Sequence, residues 1–208
     1  MSLDYSLERS YGKKVCGIDE VGRGPLAGPV VCAAVVLQPE FLSRDLLEAI
    51  KDSKKLTASR RQWIAAELRT AAANGKGASY GFAAASVTEI ATYNILGATL
   101  RAMARAVARL PEQPDHILVD GNRLPSHLPV AATAIVGGDG KCLSIAAASI
   151  LAKVLRDYLM QRLSVRYPDY GFDRHSGYGT LYHRQAIGRL GLTPHHRLLF
   201  CRKLSLGV

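Results

Sequence analysis

Two adjacent carboxylates beside a glycine-flanked arginine are the most chemically informative feature of this chain. Asp19 and Glu20 end an apolar, β-branched run, and Gly22-Arg23-Gly24 follows almost at once. Carboxylates are hard oxygen ligands for divalent cations, and a turn with bare backbone lets a polyanion approach closely. The pattern therefore predicts either a salt-bridge cluster or a metal site directed at phosphate.

Two further acids occupy comparable places. Asp120 ends the short apolar run 116–120, and Asp139 lies in a glycine-rich turn after the run 130–136. Carboxylates that end strands of an α/β sheet converge on the crevice where such folds bind ligands. Phosphodiester hydrolysis at neutral pH needs a stabilised anionic transition state and a hydroxide, which two carboxylate-bound Mg²⁺ or Mn²⁺ ions supply. We therefore favour a metal site over isolated salt bridges.

Asp19 and Glu20 can bind the same ion only under one geometric condition. Neighbouring residues on an ideal strand point to opposite faces of the sheet. Asp19 and Glu20 are therefore expected to share an ion only if the strand ends or bulges at this point. Gly22 makes such an ending plausible.

The elements that must position these acids follow from the hydrophobic pattern. Strands are predicted at residues 14–19, 30–37, 78–85, 116–120 and 130–136. Helices are predicted at residues 41–50, 57–73, from Thr88 or Asn94 to Leu110, at 144–166 and at 180–190. Their order predicts an α/β fold with a mixed sheet flanked by helices. We expect a single domain over residues 1–208, with a catalytic core at 14–165 and a small C-terminal helical part at 166–208.

Charge and composition narrow the class of partner. The 208 residues include 27 Lys and Arg against 17 Asp and Glu, a net charge of +10, which favours a nucleic-acid partner. The four cysteines are widely spaced, so neither a zinc site nor a disulfide framework is expected. We find no signal-peptide pattern and no membrane span, and we expect a cytoplasmic protein without a membrane partner.

The segment from Gly17 to Pro25 resembles the signature of type 2 ribonuclease H, in its bacterial ribonuclease HII branch. Four more segments are similar to that family and occur in the family's order: residues 52–56, 119–122, 138–139 with 144–154, and 175–180. One such match would be weak evidence. Five matches in order, across nearly the whole chain, identify the sequence as a member of this family.

The resemblance implies a ribonuclease H-like fold and metal-dependent cleavage of RNA hybridised to DNA, including single ribonucleotides embedded in duplex DNA. It implies Mg²⁺ or Mn²⁺ as cofactor, and products with 5′-phosphate and 3′-OH ends. The implied metal ligands are Asp19, Glu20, Asp120 and Asp139. Gly22, Arg23 and Gly24 are implied to lie against the 2′-OH at the scissile position, and Tyr178 to stack on the sugar that follows. The 2′-OH is the group that distinguishes RNA from DNA.

The sequence leaves more than one possible role for several side chains. Asp157 is an alternative to Asp139 as the last metal ligand, although its position four residues after Lys153 favours an ion pair within a helix. Ser149 and Lys153 are candidates for contact with the substrate backbone from the same helix. Asn94 either hydrogen-bonds DNA or caps its helix.

The lysines at positions 54 and 55 are further candidates for substrate contact. Lys54 and Lys55 are expected to bind phosphates without reading sequence, or to belong to a solvated basic loop.

Two rival functions remain at this stage. A ribonuclease HIII-like enzyme would carry an additional N-terminal substrate-binding domain, for which the few residues before the first predicted strand leave no room. A non-catalytic binder of RNA–DNA hybrids is expected to have lost at least one acid, and all four are present. We expect a monomeric enzyme.

Overall fold

The computed structural model describes residues 5–51 and 56–202. Within these residues, the strands form one five-stranded sheet in the order β3-β2-β1-β4-β5. The strands are β1 (Val15–Val21), β2 (Val30–Leu37), β3 (Ala78–Ala85), β4 (His116–Asp120) and β5 (Ala132–Ile135). Antiparallel pairs join β1 to β2 and β2 to β3, and parallel pairs join β1 to β4 and β4 to β5. The predicted α/β fold with a mixed sheet is confirmed.

Helices cover both faces of this sheet. They are α1 (Ser6–Arg9), α2 (Arg44–Lys51), α3 (Ala58–Ala73), α4 (Val87–Val107), α5 (Leu143–Arg166), α6 (Phe172–His175), α7 (Leu181–Leu190) and α8 (Leu198–Cys201). Cys16 and Ile18 of β1 belong to the core under α4. Gly17 faces α5, where a Cβ atom would lie only 2.3 Å from the backbone nitrogen of Ile145. The missing side chain therefore lets the first strand pack directly on the longest helix.

The first strand is longer than predicted. Its antiparallel register with β2 continues without a bulge through Asp19, Glu20 and Val21. The expectation that the strand ends or bulges at the two acids is wrong. Gly22, with a φ of +93°, ends the strand two residues later.

Helix α4 contains both of the predicted helix starts, the one near Thr88 and the one at Asn94. Ser86 caps its first turn in a capping box with Glu89. Asn94 then interrupts the helix with φ 56° and ψ 175°, and its Oδ1 accepts hydrogen bonds from the backbone N–H groups of Leu96 and Gly97 at 2.9 and 3.0 Å. Asn94 thus acts as a second N-cap inside the element, which is one of the two roles expected for it.

The C-terminal part of the chain packs on the far end of α5. Phe172 and Tyr170 form a small apolar cluster with Met160 of α5, Ala186 of α7 and Ala27 of the β1–β2 loop. This contact connects the C-terminal helices to the loop that follows the acids. Among the described residues, no helix is both long and apolar enough to cross a bilayer.

Candidate active site

Asp19 and Asp120 lie side by side just beyond the last paired residues of two neighbouring parallel strands. The register pairs Ile18 with Val119, so the two aspartates are the next residues on β1 and β4. Asp19 is 6% exposed. The pKa of Asp19 is raised from 3.8 to about 8, chiefly by burial and also by the charges of Glu20 and Asp120, against the opposing effect of a hydrogen bond from Ser149. The site thus concentrates negative charge in a poorly solvated place.

Ser149 and the adjacent backbone hold Asp19. Its Oδ1 accepts a hydrogen bond from the backbone N–H of Glu20 at 2.7 Å, and Ser149 of α5 donates to the same carboxylate. Lys153, one turn further along α5, forms an ion pair with Asp157 at 2.5 Å, and Ser176 also contacts that Asp157 oxygen at 3.4 Å. The ion pair expected for Asp157 is therefore present.

Glu20 extends from the opposite face of β1, since the strand is regular here. Arg23 Nη1 lies 3.2 Å from Glu20 Oε1. Burial raises the pKa of Glu20, the Arg23 guanidinium lowers it, and the charge of Asp120 raises it. Asp120 therefore acts electrostatically on both acids of β1, although these two project from opposite faces.

The turn that carries Asp139 is fixed to Asp120. Oδ1 of Asp120 accepts a hydrogen bond from the backbone N–H of Gly138 at 2.6 Å, and Gly138 opens a short 3₁₀ turn, Gly138–Gly140. A Cβ atom at Gly138 would lie 3.2 Å from Asp120 Oδ1 and 2.5 Å from Ile145 Cδ1, so this position has no room for a side chain. Asp139 thus follows directly after the residue that contacts Asp120.

The carboxylates fit a divalent cation by charge and donor type. Asp19, Glu20 and Asp120 bring three carboxylates into mutual electrostatic range, with Arg23 as the cationic partner of Glu20. A hard cation would offset the mutual repulsion of these carboxylates. Within residues 5–51 and 56–202, no three Asp, Glu, His or Cys side chains converge as a ready-made chelating group. Ion binding would therefore require these side chains to turn toward one another.

The glycine-flanked turn lies against one cationic and one aromatic side chain. A Cβ atom at Gly22 would lie 2.1 Å from Nε of Arg156, whereas at Gly24 the nearest atom would be Cε1 of Tyr178 at 3.7 Å. Tyr178 is 48% exposed. The fold therefore brings together the turn and the tyrosine, which are more than 150 residues apart in the chain.

A chain of buried histidines supports the backbone of Tyr178. The Thr193 N–H lies 2.9 Å from His196 Nδ1, so that nitrogen accepts. His196 Nε2 then donates to His183 Nε2 at 3.0 Å, and His183 Nδ1 donates to the Tyr178 carbonyl at 2.9 Å. Each imidazole in this arrangement is neutral, and burial lowers the pKa of both, that of His196 to about 4.

Sequence reasoning did not single out two buried arginines next to the site, and two of its candidate residues lie outside the described part of the chain. Arg156 and Arg197 are buried beneath the glycine-flanked turn. The spacing of Arg156, four residues from Ala152 and from Met160, which are both buried, places it on the inner face of α5 and was a usable signal. No comparable pattern marks Arg197. Lys54 and Lys55 lie outside the described residues.

Comparison with known proteins gives a consistent result. The sequence profile described as Ribonuclease HII matches residues 16–203. Ribonuclease HII of Granulibacter bethesdensis is 55% identical over 197 residues, 95% of this chain and 88% of that protein. The ribonuclease H2 structure from Pyrococcus horikoshii OT3 is 26% identical with a TM-score of 0.74, covering 93% of this chain and 97% of that chain. Bst-RNase HIII in complex with Mn²⁺ has a TM-score of 0.70 at 19% identity, covering 95% of this chain and 71% of that chain, a likeness of fold alone.

Proposed function

Because this chain belongs to the ribonuclease HII family, whose members are metal-dependent ribonucleases H, we propose that it cleaves RNA in RNA–DNA hybrids and nicks duplex DNA on the 5′ side of embedded ribonucleotides. The observation that carries the proposal is the position of Asp19 beside Asp120, just beyond the last residues that pair β1 with β4. Family membership sets aside the ribonuclease HIII-like alternative.

Asp19, Glu20 and Asp120 are the proposed metal ligands, with Asp139 as the fourth. Two Mg²⁺ or Mn²⁺ ions, when bound, would activate water and stabilise the charge of the phosphoryl transition state. Ser149 orients the Asp19 carboxylate, Gly138 orients that of Asp120, and Arg23 restrains Glu20. These contacts restrain the three carboxylates before substrate arrives, and a bound cation would then draw them toward one another. Hydrolysis leaves a 5′-phosphate and a 3′-OH.

Ribose recognition is assigned to Gly22, Arg23 and Gly24 together with Tyr178. Gly24 and Tyr178 are both exposed and close to each other, so a sugar can contact bare backbone on one side and an aromatic ring on the other. A backbone N–H or carbonyl can hydrogen-bond a 2′-OH, which deoxyribose lacks. Cleavage is then limited to positions that carry a ribose.

The remaining substrate contacts are proposed along the nucleic-acid backbone. Lys54, Lys55, Asn94, Ser149 and Lys153 are assigned to this group. Ser149 and Lys153 already bond to Asp19 and Asp157, so they would contact substrate while also positioning acids. The net charge of +10 supports affinity for a polyanion that falls with salt. We propose that the enzyme acts as a monomer.

The decisive experiment uses an end-labelled DNA duplex with one ribonucleotide, incubated with Mg²⁺ or Mn²⁺. We expect one nick on the 5′ side of that ribonucleotide, no nick in the all-DNA duplex, and no nick in EDTA. Hybrid binding without product in either metal would instead favour the non-catalytic binder. Cleavage that EDTA leaves unchanged would contradict the proposed ligands.

A further inference from the structure

Two arginine guanidinium groups are buried beneath the loop of residues 22–29, which we call the glycine loop. Arg156 is fully buried and Arg197 is 2% exposed. Neither forms an ion pair with an acid among the described residues. Burial and the neighbouring Arg156 lower the pKa of Arg197 to about 10. Buried charge without a counter-ion is costly, so a compensating arrangement is expected nearby.

Backbone carbonyls of the glycine loop provide that compensation for Arg197. Nη2 donates to the carbonyls of Gly22 at 2.6 Å and Gly28 at 2.8 Å, and Nη1 donates to that of Arg23 at 2.7 Å. Nε donates to Gly28 at 3.0 Å, and the Arg197 backbone N–H donates to the Leu26 carbonyl at 2.7 Å. One side chain from the C-terminal part therefore holds both ends of the glycine loop.

Arg156 contacts the same loop from α5. Its Nε donates to the Pro29 carbonyl at 3.1 Å and its Nη2 to the Ala27 carbonyl at 3.3 Å. The guanidinium also fills the space where a side chain at Gly22 would lie. The two arginine side chains thus pack beneath the glycine loop and hydrogen-bond to its backbone carbonyls.

The carbonyl contacts determine where two amide N–H groups point. In a trans peptide, the N–H of the next residue points away from the carbonyl of the preceding one. Because Arg197 draws the carbonyls of Gly22 and Arg23 inward, the N–H groups of Arg23 and Gly24 point outward. Arg23 and Gly24 are the exposed residues of the loop, and the Tyr178 ring lies beside Gly24.

We infer that Arg197 is a positioning residue for ribose recognition, which turns the N–H groups of Arg23 and Gly24 toward the substrate. The inference rests on the proposed function. A planar guanidinium makes these several bonds in fixed directions, which a lysine ammonium cannot reproduce. Substitution of Arg197 should therefore weaken the choice of ribose at the cut.

The first test compares wild type with Arg197→Lys on two duplexes that differ at one sugar, a ribose or a 2′-deoxy-2′-fluororibose. We expect the ratio of kcat/KM for the two duplexes to fall at least about tenfold in Arg197→Lys, since small misplacement of a recognition group has effects of this size or larger. A ratio is used because partial unfolding lowers both activities equally and cancels. Arg109→Lys is the matched control, because Arg109 also donates to a carbonyl, that of Phe82 at 2.5 Å.

The second test uses wild type alone and stays informative if Arg197→Lys does not fold. Amide NMR signals of Arg23 and Gly24 should shift on adding the ribose duplex in Ca²⁺ and shift much less with the all-DNA duplex. Equal shifts with both duplexes, or an unchanged activity ratio in a folded Arg197→Lys, would overturn the positioning role while leaving the proposed nuclease intact. Failure of wild type to cut the ribose duplex in Mg²⁺ and Mn²⁺ would reject the proposed function itself.

Discussion

Asp19 and Asp120 are the next residues beyond the paired Ile18 and Val119 on adjacent parallel strands, so their carboxylates share one end of the sheet. Glu20 lies on the other face of β1 and still responds to the charge of Asp120. The charge of Asp120 thus raises the pKa of acids on both faces of β1. Its position follows from strand pairing, which a local loop change cannot easily alter.

Asp120→Asn should leave the fold intact and nearly abolish cleavage. The amide keeps an oxygen for the Gly138 N–H but loses the charge that would hold a cation. We expect kcat to fall about 100- to 1,000-fold, since metal stabilisation of the transition state contributes several kcal/mol. Turnover of the single-ribonucleotide duplex measures this, and binding of the hybrid should change little. A fully active variant would show that the ligand set is wrong.

Asp139→Asn and Asp157→Asn separate the two candidates for the fourth ligand. Asp157 already forms an ion pair with Lys153, whereas Asp139 follows the residue that contacts Asp120. Asp139→Asn should lower kcat at least about tenfold and raise the Mg²⁺ concentration needed for half-maximal rate. Asp157→Asn should change stability by about 0.5 kcal/mol and leave the Mg²⁺ dependence as it is. The reverse pattern in the two Mg²⁺ titrations would exchange their roles.

Asp19→Asn should stabilise the metal-free protein at neutral and alkaline pH. The folded state raises the pKa of Asp19 from 3.8 to about 8, so between these values the folded protein binds more protons than the unfolded chain. The contribution of Asp19 to stability is thus present below about pH 4 and lost as pH rises toward 8. In EDTA at pH 8 we expect a gain of about 1–3 kcal/mol for Asp19→Asn. Urea unfolding measures it.

Mn²⁺ provides the control for this prediction. It should raise the melting temperature of wild type and have a much smaller effect on Asp19→Asn, because a ligand that binds only the folded state stabilises it. Equal metal-induced shifts in the two proteins would argue against Asp19 as a ligand.

Alanine substitutions at Gly22 and Gly24 should impair the protein in different ways, the first by lowering its stability and the second by lowering kcat/KM. Gly22 has a φ of +93° and its Cβ would collide with Arg156, so Gly22→Ala should cost about 2–4 kcal/mol of stability. Gly24 has open space to Tyr178 Cε1 at 3.7 Å, so Gly24→Ala should fold normally. The methyl group at Gly24 would nevertheless occupy the space proposed for ribose, and kcat/KM should fall about tenfold or more. Urea melts should therefore show a loss of stability in Gly22→Ala alone, while cleavage kinetics should show a loss of kcat/KM in Gly24→Ala without a loss of stability.

The histidine chain predicts a loss of stability in mild acid. Burial lowers the pKa of His196 to about 4, while the unfolded value is near 6.5. Between these values the unfolded chain binds the additional proton, so stability is full above about pH 6.5 and falls as pH decreases toward 4. We expect a contribution of about 2–3 kcal/mol to the loss of stability between pH 7.5 and 4.5. His196→Gln should flatten that part of the curve, measured by urea unfolding, and an unchanged pH dependence would contradict it.

Much of the fold was accessible from local pattern. Apolar runs bounded by turn residues predicted β2 and β3 at their observed bounds and β4 at 116–120. The end of β1 was misplaced because strand propensity falls at Asp19, whereas pairing with β2 carries the strand on to Val21. Long-range pairing overrode the local signal.

Asn94 illustrates a different limit. Its two possible helix starts are both present, because the residue caps a helix inside a longer helical element. Sequence pattern recognises a capping residue but does not show whether a second helix continues in nearly the same direction, which depends on packing against the sheet.

The acids, the glycine-flanked turn and their order along the chain were determined by sequence alone, because each depends on residue type and on neighbours a few positions away. Tertiary structure decided which of these meet. The register of β1 with β4 places Asp19 beside Asp120, and the return of the C-terminal part places Tyr178 beside Gly24. It also placed Arg197 under Gly22, 175 residues away in sequence. A buried guanidinium finds its carbonyls only once the chain has closed around it, so no local pattern could reveal that role.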